Sequence, residues 1–259
     1  MAMDNPYVTP CGHIFSDSIF TWLKEESNKQ IVVMKVKDLS SGSEGSVITL
    51  IVPSEGLENA SAYAVDVRDH SSVIEFYKNY GKAPELIVNN AGIARFDKLL
   101  DQKVSDFEDV VQTNLIGSFI LATEGVRLMI AEGKKGCVIN ITSIHSVSPG
   151  IGVGAYSPAK AGLASLTKLM ALEWGEFGIR VNAIAPGFID SGMSKPFFEN
   201  PKIRELRGKA VPLQRLGTSE DIAKTVLYLS SDAASYVNAN EIIVDGGVIH
   251  SVLMHLPRE

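Results

Sequence analysis

Tyr156 and Lys160 stand four positions apart in Tyr156-Ser157-Pro158-Ala159-Lys160. On a helix that spacing puts both side chains on one face, about one turn from each other. A phenol with an ordinary pKa of about 10 is a poor base at neutral pH, but an ammonium beside it stabilises the phenolate and brings that value toward the working range. The pair predicts an acid/base that moves a proton on and off a carbonyl or alcohol oxygen, with Lys160 tuning Tyr156. Ser143 follows the apolar run 138–141, where its hydroxyl could hold the oxygen that Tyr156 protonates. Asn114, in Gln112-Thr113-Asn114-Leu115, begins a long helical pattern and could order a water behind Lys160. Singly these residues mean little, because a serine at a strand end is usually a cap and an asparagine near a helix usually bonds locally. Together, in this order and at the ends of apolar strands, they point to one catalytic set.

The elements that must position them follow from the hydropathy pattern. Short β-branched runs at 31–36, 86–88, 138–141, 181–184 and 241–244 alternate with longer helical patterns, as in a parallel sheet covered by helices. Leu163, Leu166, Met170 and Trp174 make one apolar stripe on a helix that starts near Ala155, and Pro158 is harmless in its first turn. A second helix starts near Thr218, with Asp221 completing a capping box, and runs through Ile222, Val226 and Leu229. Right-handed crossovers then favour an α/β fold with a doubly wound, mostly parallel, Rossmann-type sheet and helices on both faces. Ligands bind such sheets beyond the carboxyl ends of the strands, so the loops after Val88, Ile141 and Ile184 are where chemistry is expected. Ser40-Ser41-Gly42-Ser43-Glu44-Gly45-Ser46 separates 31–36 from the strand-like 47–52, and this region reads as an irregular hairpin rather than as strand and helix.

Composition narrows the function classes. The 259 residues are 45% hydrophobic and 21% charged, the balance of one ordered α/β domain spanning 1–259. A net charge of −6 argues against nucleic acid as a partner, since phosphate binding needs a basic footprint. The start, Met1-Ala2-Met3-Asp4-Asn5-Pro6, lacks the features of a secretion signal, and no run reaches the roughly 18 apolar residues that span a bilayer. A cytoplasmic protein without a membrane segment is expected. Of the two cysteines, Cys137 falls in an apolar run and Cys11 in a loop-like stretch, which is no disulfide framework. Pro10-Cys11-Gly12-His13 is similar to a fragment of a zinc-binding RING or U-box surface, but a zinc site needs four ligands and the other His and Cys residues are scattered, so no metal is expected.

From about Ser61 to Gly247 the sequence resembles the short-chain dehydrogenase/reductase family, in its acyl-carrier-protein reductase-like and sugar or polyol dehydrogenase-like branch. Asn114, Ser143, Tyr156 and Lys160 match that family's catalytic tetrad. Asp66-Val67 matches its adenine-contacting pair, Asn90-Ala91-Gly92 the strand-end loop beside the cofactor, and Pro186-Gly187 with Ile189 the turn that faces the nicotinamide carboxamide. Pro212-Leu213-Gln214-Arg215-Leu216-Gly217 and Val244-Asp245-Gly246-Gly247 resemble its C-terminal landmarks. The resemblance implies an oxidoreductase that interconverts a ketone and a secondary alcohol by hydride transfer with a nicotinamide dinucleotide, Lys160 also holding the ribose hydroxyls. It further implies a homotetramer or homodimer, with helices near 114–130 and 155–174 packing across subunits.

Two features depart from the family's pattern. Its glycine-rich phosphate turn has no counterpart: laid alongside, Thr9-Pro10-Cys11-Gly12-His13-Ile14-Phe15-Ser16 puts Pro10, Ile14 and Ser16 in the glycine places, followed by a plausible helix over 17–27. No acidic residue ends the 31–36 run, where Lys35 and Lys37 stand instead, which favours the 2′-phosphorylated cofactor. NADP is thus expected over NAD, with weak binding. The alternatives are a cofactor-free lyase or isomerase and a non-catalytic binding protein on the same fold. His145, Pro196, Phe197 and Phe198 are candidates for pocket lining or plain packing, and Met254 and Leu256 for core or subunit contacts.

Overall fold

A computed structural model of the chain describes residues 31–36, 47–52 and 61–255. The segment 9–16, the helix expected at 17–27, Lys37 and Leu256 lie outside the described residues, as does the side chain of Lys35. Seven strands form one sheet: β1 (Ile31–Val36), β2 (Val47–Val52), β3 (Ser61–Val65), β4 (Leu86–Asn89), β5 (Gly136–Ile141), β6 (Ile179–Pro186) and β7 (Glu241–Val244). Their order across the sheet is β3-β2-β1-β4-β5-β6-β7. β1, β4, β5, β6 and β7 are parallel neighbours, whereas β2 runs antiparallel to both β1 and β3. The register Ile31↔Val52 to Val36↔Val47 makes β1 and β2 the hairpin that the sequence predicts.

Alternation along the central strands explains why helices cover both faces. Ile87 and Val138 point into a core with α1 (His70–Tyr80), α3 (Gly117–Ala131) and α4 (Tyr156–Trp174), through Val73, Phe76, Leu121, Val126, Met129 and Met170. Their neighbours Leu86, Val88, Cys137, Ile139 and Ile141 point the other way, onto Ile222, Val226 and Leu229 of α7 (Ser219–Ser230). Side chains of successive strand residues alternate between faces, so each strand feeds two cores. α1 starts where the Asp69 side chain accepts from the Ser71 N–H and stops at Gly81 in the left-handed region. α7 opens with the capping box of Thr218 and Asp221, and Arg215 holds Asp221 with two further hydrogen bonds. Those bonds keep the Asp221 carboxyl well below the usual carboxylate range.

The helix that carries Asn114 differs from its expected start. It begins at Val104, as α2 (Val104–Val111), passes through a π-helical turn at Gln112–Ile116 and continues as α3. Lys103 at its start supplies no side-chain cap, so the sequence shows no start signal there. By length and composition, Val104–Ala131 is apolar enough to cross a membrane, which corrects the expectation that no segment is. Here its Leu121, Ala122, Val126 and Met129 are buried in the core, and that accounts for its hydropathy. Two short helices, α5 (Lys195–Phe198) and α6 (Pro201–Ala210), follow β6 and border its carboxyl end.

Candidate active site

A cleft opens where three loops leave the carboxyl ends of β4, β5 and β6. Asn90 and Gly92 come from the first, Thr142, Ser143 and His145 from the second, and Pro186, Gly187 and Ile189 from the third. α4 closes it, presenting Tyr156 from its first residue and Lys160 from one turn on. Tyr156, Ser143 and Lys160 are therefore brought together as the sequence predicts. Asn114 stands behind them, fully buried, and is not part of the cleft wall.

The electrostatics run opposite to the expectation for Tyr156. Its hydroxyl is hydrogen-bonded to the Ser143 side chain, yet burial pushes the phenol up to about 12. Lys160 does not offset this: burial moves its ammonium from an ordinary 10.5 down to about 8. Its Nζ donates 2.7 Å to the Ile141 carbonyl and lies 5.7 Å from the Tyr156 ring centroid. Both groups lose hydration when α4 docks on the sheet, and desolvation disfavours whichever form is charged. In this state the site holds a neutral phenol and a cation near its own titration point.

Asn114 places its side-chain amide on the backbone of Ile93. Its Oδ1 accepts the Ile93 N–H at 2.8 Å and its Nδ2 donates to the Ile93 carbonyl at 2.9 Å. It thereby pins the loop that carries Asn90 and Gly92. Gly92 lies close to both Asn114 and Lys160, since a Cβ there would come within 3.3 Å of Asn114 Oδ1 and 3.5 Å of Lys160 Nζ. The π-turn shifts the helix register at this one place, and such turns recur at functional sites.

Some positioning residues carry no local sequence signal. Gln102 reaches across 53 positions so that its Oε1 accepts the Ala155 N–H at 2.8 Å, while its Nε2 donates to the Arg95 carbonyl. It serves as the missing side-chain cap of α4 and sets the height of Tyr156. Glu241 at the start of β7 accepts at 2.6 Å from both Thr142 and Ser146, bracketing Ser143. Asn89, Asn140 and Thr167 form a buried chain from β4 through β5 to α4, with links of 2.7 and 2.8 Å. Phe96 stands edge-on to Tyr156 with ring centroids 6.0 Å apart. Phe197 lines the cleft, whereas Phe198 is buried packing and Met254 is exposed.

The remaining predicted residues divide by location. Asn90, Pro186, Gly187 and Ile189 line the cleft beside Lys160 and form a mixed polar and apolar wall. Ala91 is buried in the core beneath that loop. Asp66 and Val67 are not part of the cleft wall: Arg68 takes the Asp66 carboxylate in a 2.8 Å ion pair, and Val67 packs against Gly117. Lys35 sits on β1 opposite Ile48. β1 has β2 as its antiparallel neighbour on one side and β4 as its parallel neighbour on the other.

With this geometry in place, similarity to known proteins becomes informative. A profile described as enoyl-(acyl carrier protein) reductase matches residues 38–249. The chain is 36% identical over 211 residues to a 3-oxoacyl-acyl-carrier-protein reductase of Chlamydia trachomatis, covering 80% of this chain and 84% of that one. It is 40% identical over 176 residues to a 2-dehydro-3-deoxy-D-gluconate 5-dehydrogenase of Bacillus subtilis, covering 68% of each. Among solved structures, a gluconate 5-dehydrogenase from Burkholderia cenocepacia in complex with NADP and tartrate superposes with a TM-score of 0.68 at 30% identity, over 72% of this chain and 74% of that one. The fold and site define a doubly wound α/β oxidoreductase. The chain belongs to the short-chain dehydrogenase/reductase family, whose members interconvert ketones and secondary alcohols with a nicotinamide dinucleotide, and none of these similarities points to the cofactor-free alternative.

The buried ammonium yields a measurable consequence. Because the folded-state pKa of Lys160 lies below its ordinary value, its burial penalty is complete below about pH 8 and fades as pH rises toward 10.5. The depression corresponds to on the order of 3 kcal/mol, less the bond to Ile141 that a replacement forfeits. Lys160→Met should therefore be about 1–2 kcal/mol more stable than the wild type at pH 7, with the gap closing near pH 10.5, and should be inactive. Denaturant unfolding at the two pH values checks this. A gap of equal size at both would show that the charge is not what costs stability.

Proposed function

We propose that this enzyme interconverts a ketone and a secondary alcohol on one domain, with Tyr156 as general acid in reduction and general base in oxidation. The observation that carries the reading is the convergence of Ser143, Tyr156 and Lys160 on one cleft, with Lys160 buried one turn behind Tyr156. A nicotinamide dinucleotide, when bound, supplies or accepts the hydride. Asn90, Gly92, Pro186, Gly187 and Ile189 border its nicotinamide end, with Lys160 donating to the ribose. Asp66, Val67 and Ala91 serve the adenosine side through the segments they anchor, and Lys35 favours NADP over NAD.

The chain's own groups divide the proton work. The Ser143 hydroxyl binds the carbonyl oxygen, and Tyr156, held protonated by burial, donates its proton to that oxygen as charge develops there. Lys160, titrating near pH 8, then stabilises the phenolate and helps return a proton to it. Asn114 acts through Ile93, keeping the strand-end loop against Lys160. Tyr156→Phe should lower kcat by about 10²–10⁴-fold while leaving the unfolding temperature close to that of the wild type, because only the transferable proton is lost. Steady-state kinetics beside a thermal melt decides it, and wild-type turnover in this variant would remove Tyr156 from the mechanism.

NADP is the preferred cofactor and its binding is weak, since a phosphate turn without its glycines forfeits charge-assisted bonds of about 1.5–3 kcal/mol each. Titration calorimetry should find NADPH binding more tightly than NADH and neither below micromolar Kd. Sub-micromolar NADH affinity would contradict both statements.

The same reading makes the enzyme a cytoplasmic homotetramer or homodimer acting on a small carbonyl or alcohol substrate, without membrane or nucleic-acid partners. Exposed apolar residues on two neighbouring helical segments support the assembly: Phe107, Ile116, Phe119 and Ile130 on 104–131, and Leu169 and Leu172 on α4. Light scattering at micromolar concentration should report a dimer or tetramer. A monomer would refute this part.

A further inference from the structure

We propose that the substrate is a hydroxy or keto acid whose carboxylate is held by Arg207 and whose neighbouring hydroxyl is held by His145, at the mouth of the cleft. The inference rests on the oxidoreductase reading and narrows it to a substrate class.

The cleft has two unlike walls. One is aromatic: Phe96 meets Tyr156 at 6.0 Å and Phe197 at 6.1 Å between ring centroids, a surface for a carbon skeleton. The other is polar and built around His145, whose ring stands at 82° to Tyr156 with centroids 6.3 Å apart. His145 Nδ1 lies 3.2 Å from the Ser148 carbonyl oxygen, which can only accept, so Nδ1 carries the hydrogen and Nε2 of the neutral ring carries the lone pair. The backbone N–H of His145 donates to Ser143 Oγ at 3.1 Å, tying the imidazole to the catalytic serine. Gly150 lies against Cε1, where a Cβ would come within 3.0 Å. With Nδ1 and Cε1 engaged, the Nε2 edge is what the ring offers to the cleft. Burial chiefly, with the Arg207 charge adding to it and against the bond to Ser148, holds the imidazole below its ordinary range. A neutral ring at working pH accepts from a hydroxyl rather than pairing with an anion.

Arg207 supplies the charge. Its guanidinium lies 4.5 Å from the ring centroid of Phe188, itself a residue of the cleft wall. Stacking on a ring face leaves the edge N–H donors of the fork available for a bidentate contact. Three cations near it in sequence are paired, Arg204 with Asp190, Lys209 with Glu205 and Arg215 with Asp221. Arg207 has no ion-pair partner among the described residues, and the cleft wall contains no Asp or Glu. A planar fork over a wall without acids matches a carboxylate. A phosphate on the carrier arm of an acyl thioester offers similar charge, but it lies a long arm away from the reacting carbon. Arg207, by contrast, stacks on Phe188, which lines the same cleft as Ser143.

The experiment measures NADP-dependent oxidation of two matched pairs, D-gluconate with D-sorbitol and 3-hydroxybutyrate with its methyl ester. NADPH-dependent reduction of acetoacetyl-CoA and of the phosphate-free acetoacetyl thioester of N-acetylcysteamine is measured beside them. The wild type, Arg207→Met and His145→Phe are compared, with thermal melts confirming that each is folded. The wild type should favour the acid of a pair by about tenfold or more in kcat/KM, and Arg207→Met should raise KM for that acid about tenfold with a smaller change in kcat. His145→Phe should lower kcat/KM for D-gluconate more than for 3-hydroxybutyrate, which has no second hydroxyl. Equal handling of acid and neutral partner by the wild type, or an unchanged preference in Arg207→Met, overturns the proposal while the oxidoreductase reading stands. Turnover of acetoacetyl-CoA that exceeds every acid and falls in Arg207→Met places a phosphate there and overturns the carboxylate. Inactivity toward all six compounds with NADP(H) and NAD(H) counts against the oxidoreductase reading itself, and this inference falls with it.

Discussion

A buried ammonium is the costliest group in this fold, and the site is arranged around it. Lys160 is 3% exposed and its Nζ donates to one backbone carbonyl, that of Ile141 at the end of β5. An ion taken out of water is tolerated only where neighbouring dipoles replace hydration. The elements that meet at Lys160 do so closely: Gly92 has no side chain, Asn114 holds the loop that carries Gly92, and the strand end of β5 turns its carbonyl inward. Each would be unremarkable elsewhere. Here they decide whether α4 can seat against the sheet with its first residue, Tyr156, at the cleft.

The same burial sets the chemistry. Desolvation raises Tyr156 and lowers Lys160, so both neutral forms are favoured, and a phenol that keeps its proton is suited to donating it to a carbonyl oxygen. Bringing substrate and cofactor into the cleft changes that environment, and the pair's proton affinities change with it. Precision comes from further off. Gln102 caps α4 from a distant loop, Glu241 braces the Ser143 loop from the edge strand, and the Asn89–Asn140–Thr167 chain ties two central strands to α4. None of these touches the cleft's reacting groups, yet each fixes an element that does.

The sheet separates a regular half from a rearranged one. From β4 to β7 every neighbour is parallel, and the catalytic residues lie at the ends of those strands. On the other side of β4, the β1–β2 hairpin inserts an antiparallel strand into an otherwise parallel order. An antiparallel return needs only a short connection, whereas a parallel neighbour needs a crossover of about a dozen residues or more. The 31–52 stretch has the serine and glycine connection of the first kind.

The sequence alone determined what depends on period and local chemistry. The i, i+4 spacing placed Tyr156 and Lys160 on one helix face, and the apolar stripe of Leu163, Leu166, Met170 and Trp174 marked α4. The Thr218–Asp221 box marked the start of α7, and the glycine-serine run marked the hairpin. These signals lie within a few residues of one another, so one window of sequence contains both partners. Only the tertiary structure decided the rest. It showed that the Asn114 side chain bonds the Ile93 backbone, that α2 begins ten residues before Asn114, and that Asp66 is held by Arg68. It also showed that Tyr156 is raised rather than lowered, that Gln102 caps a helix 53 positions away, and that Arg207 stacks on Phe188 of the cleft wall. Proton affinities follow burial, and long-range hydrogen bonds follow which strand ends meet. Both are set by how the chain packs as a whole, which no single stretch of sequence carries.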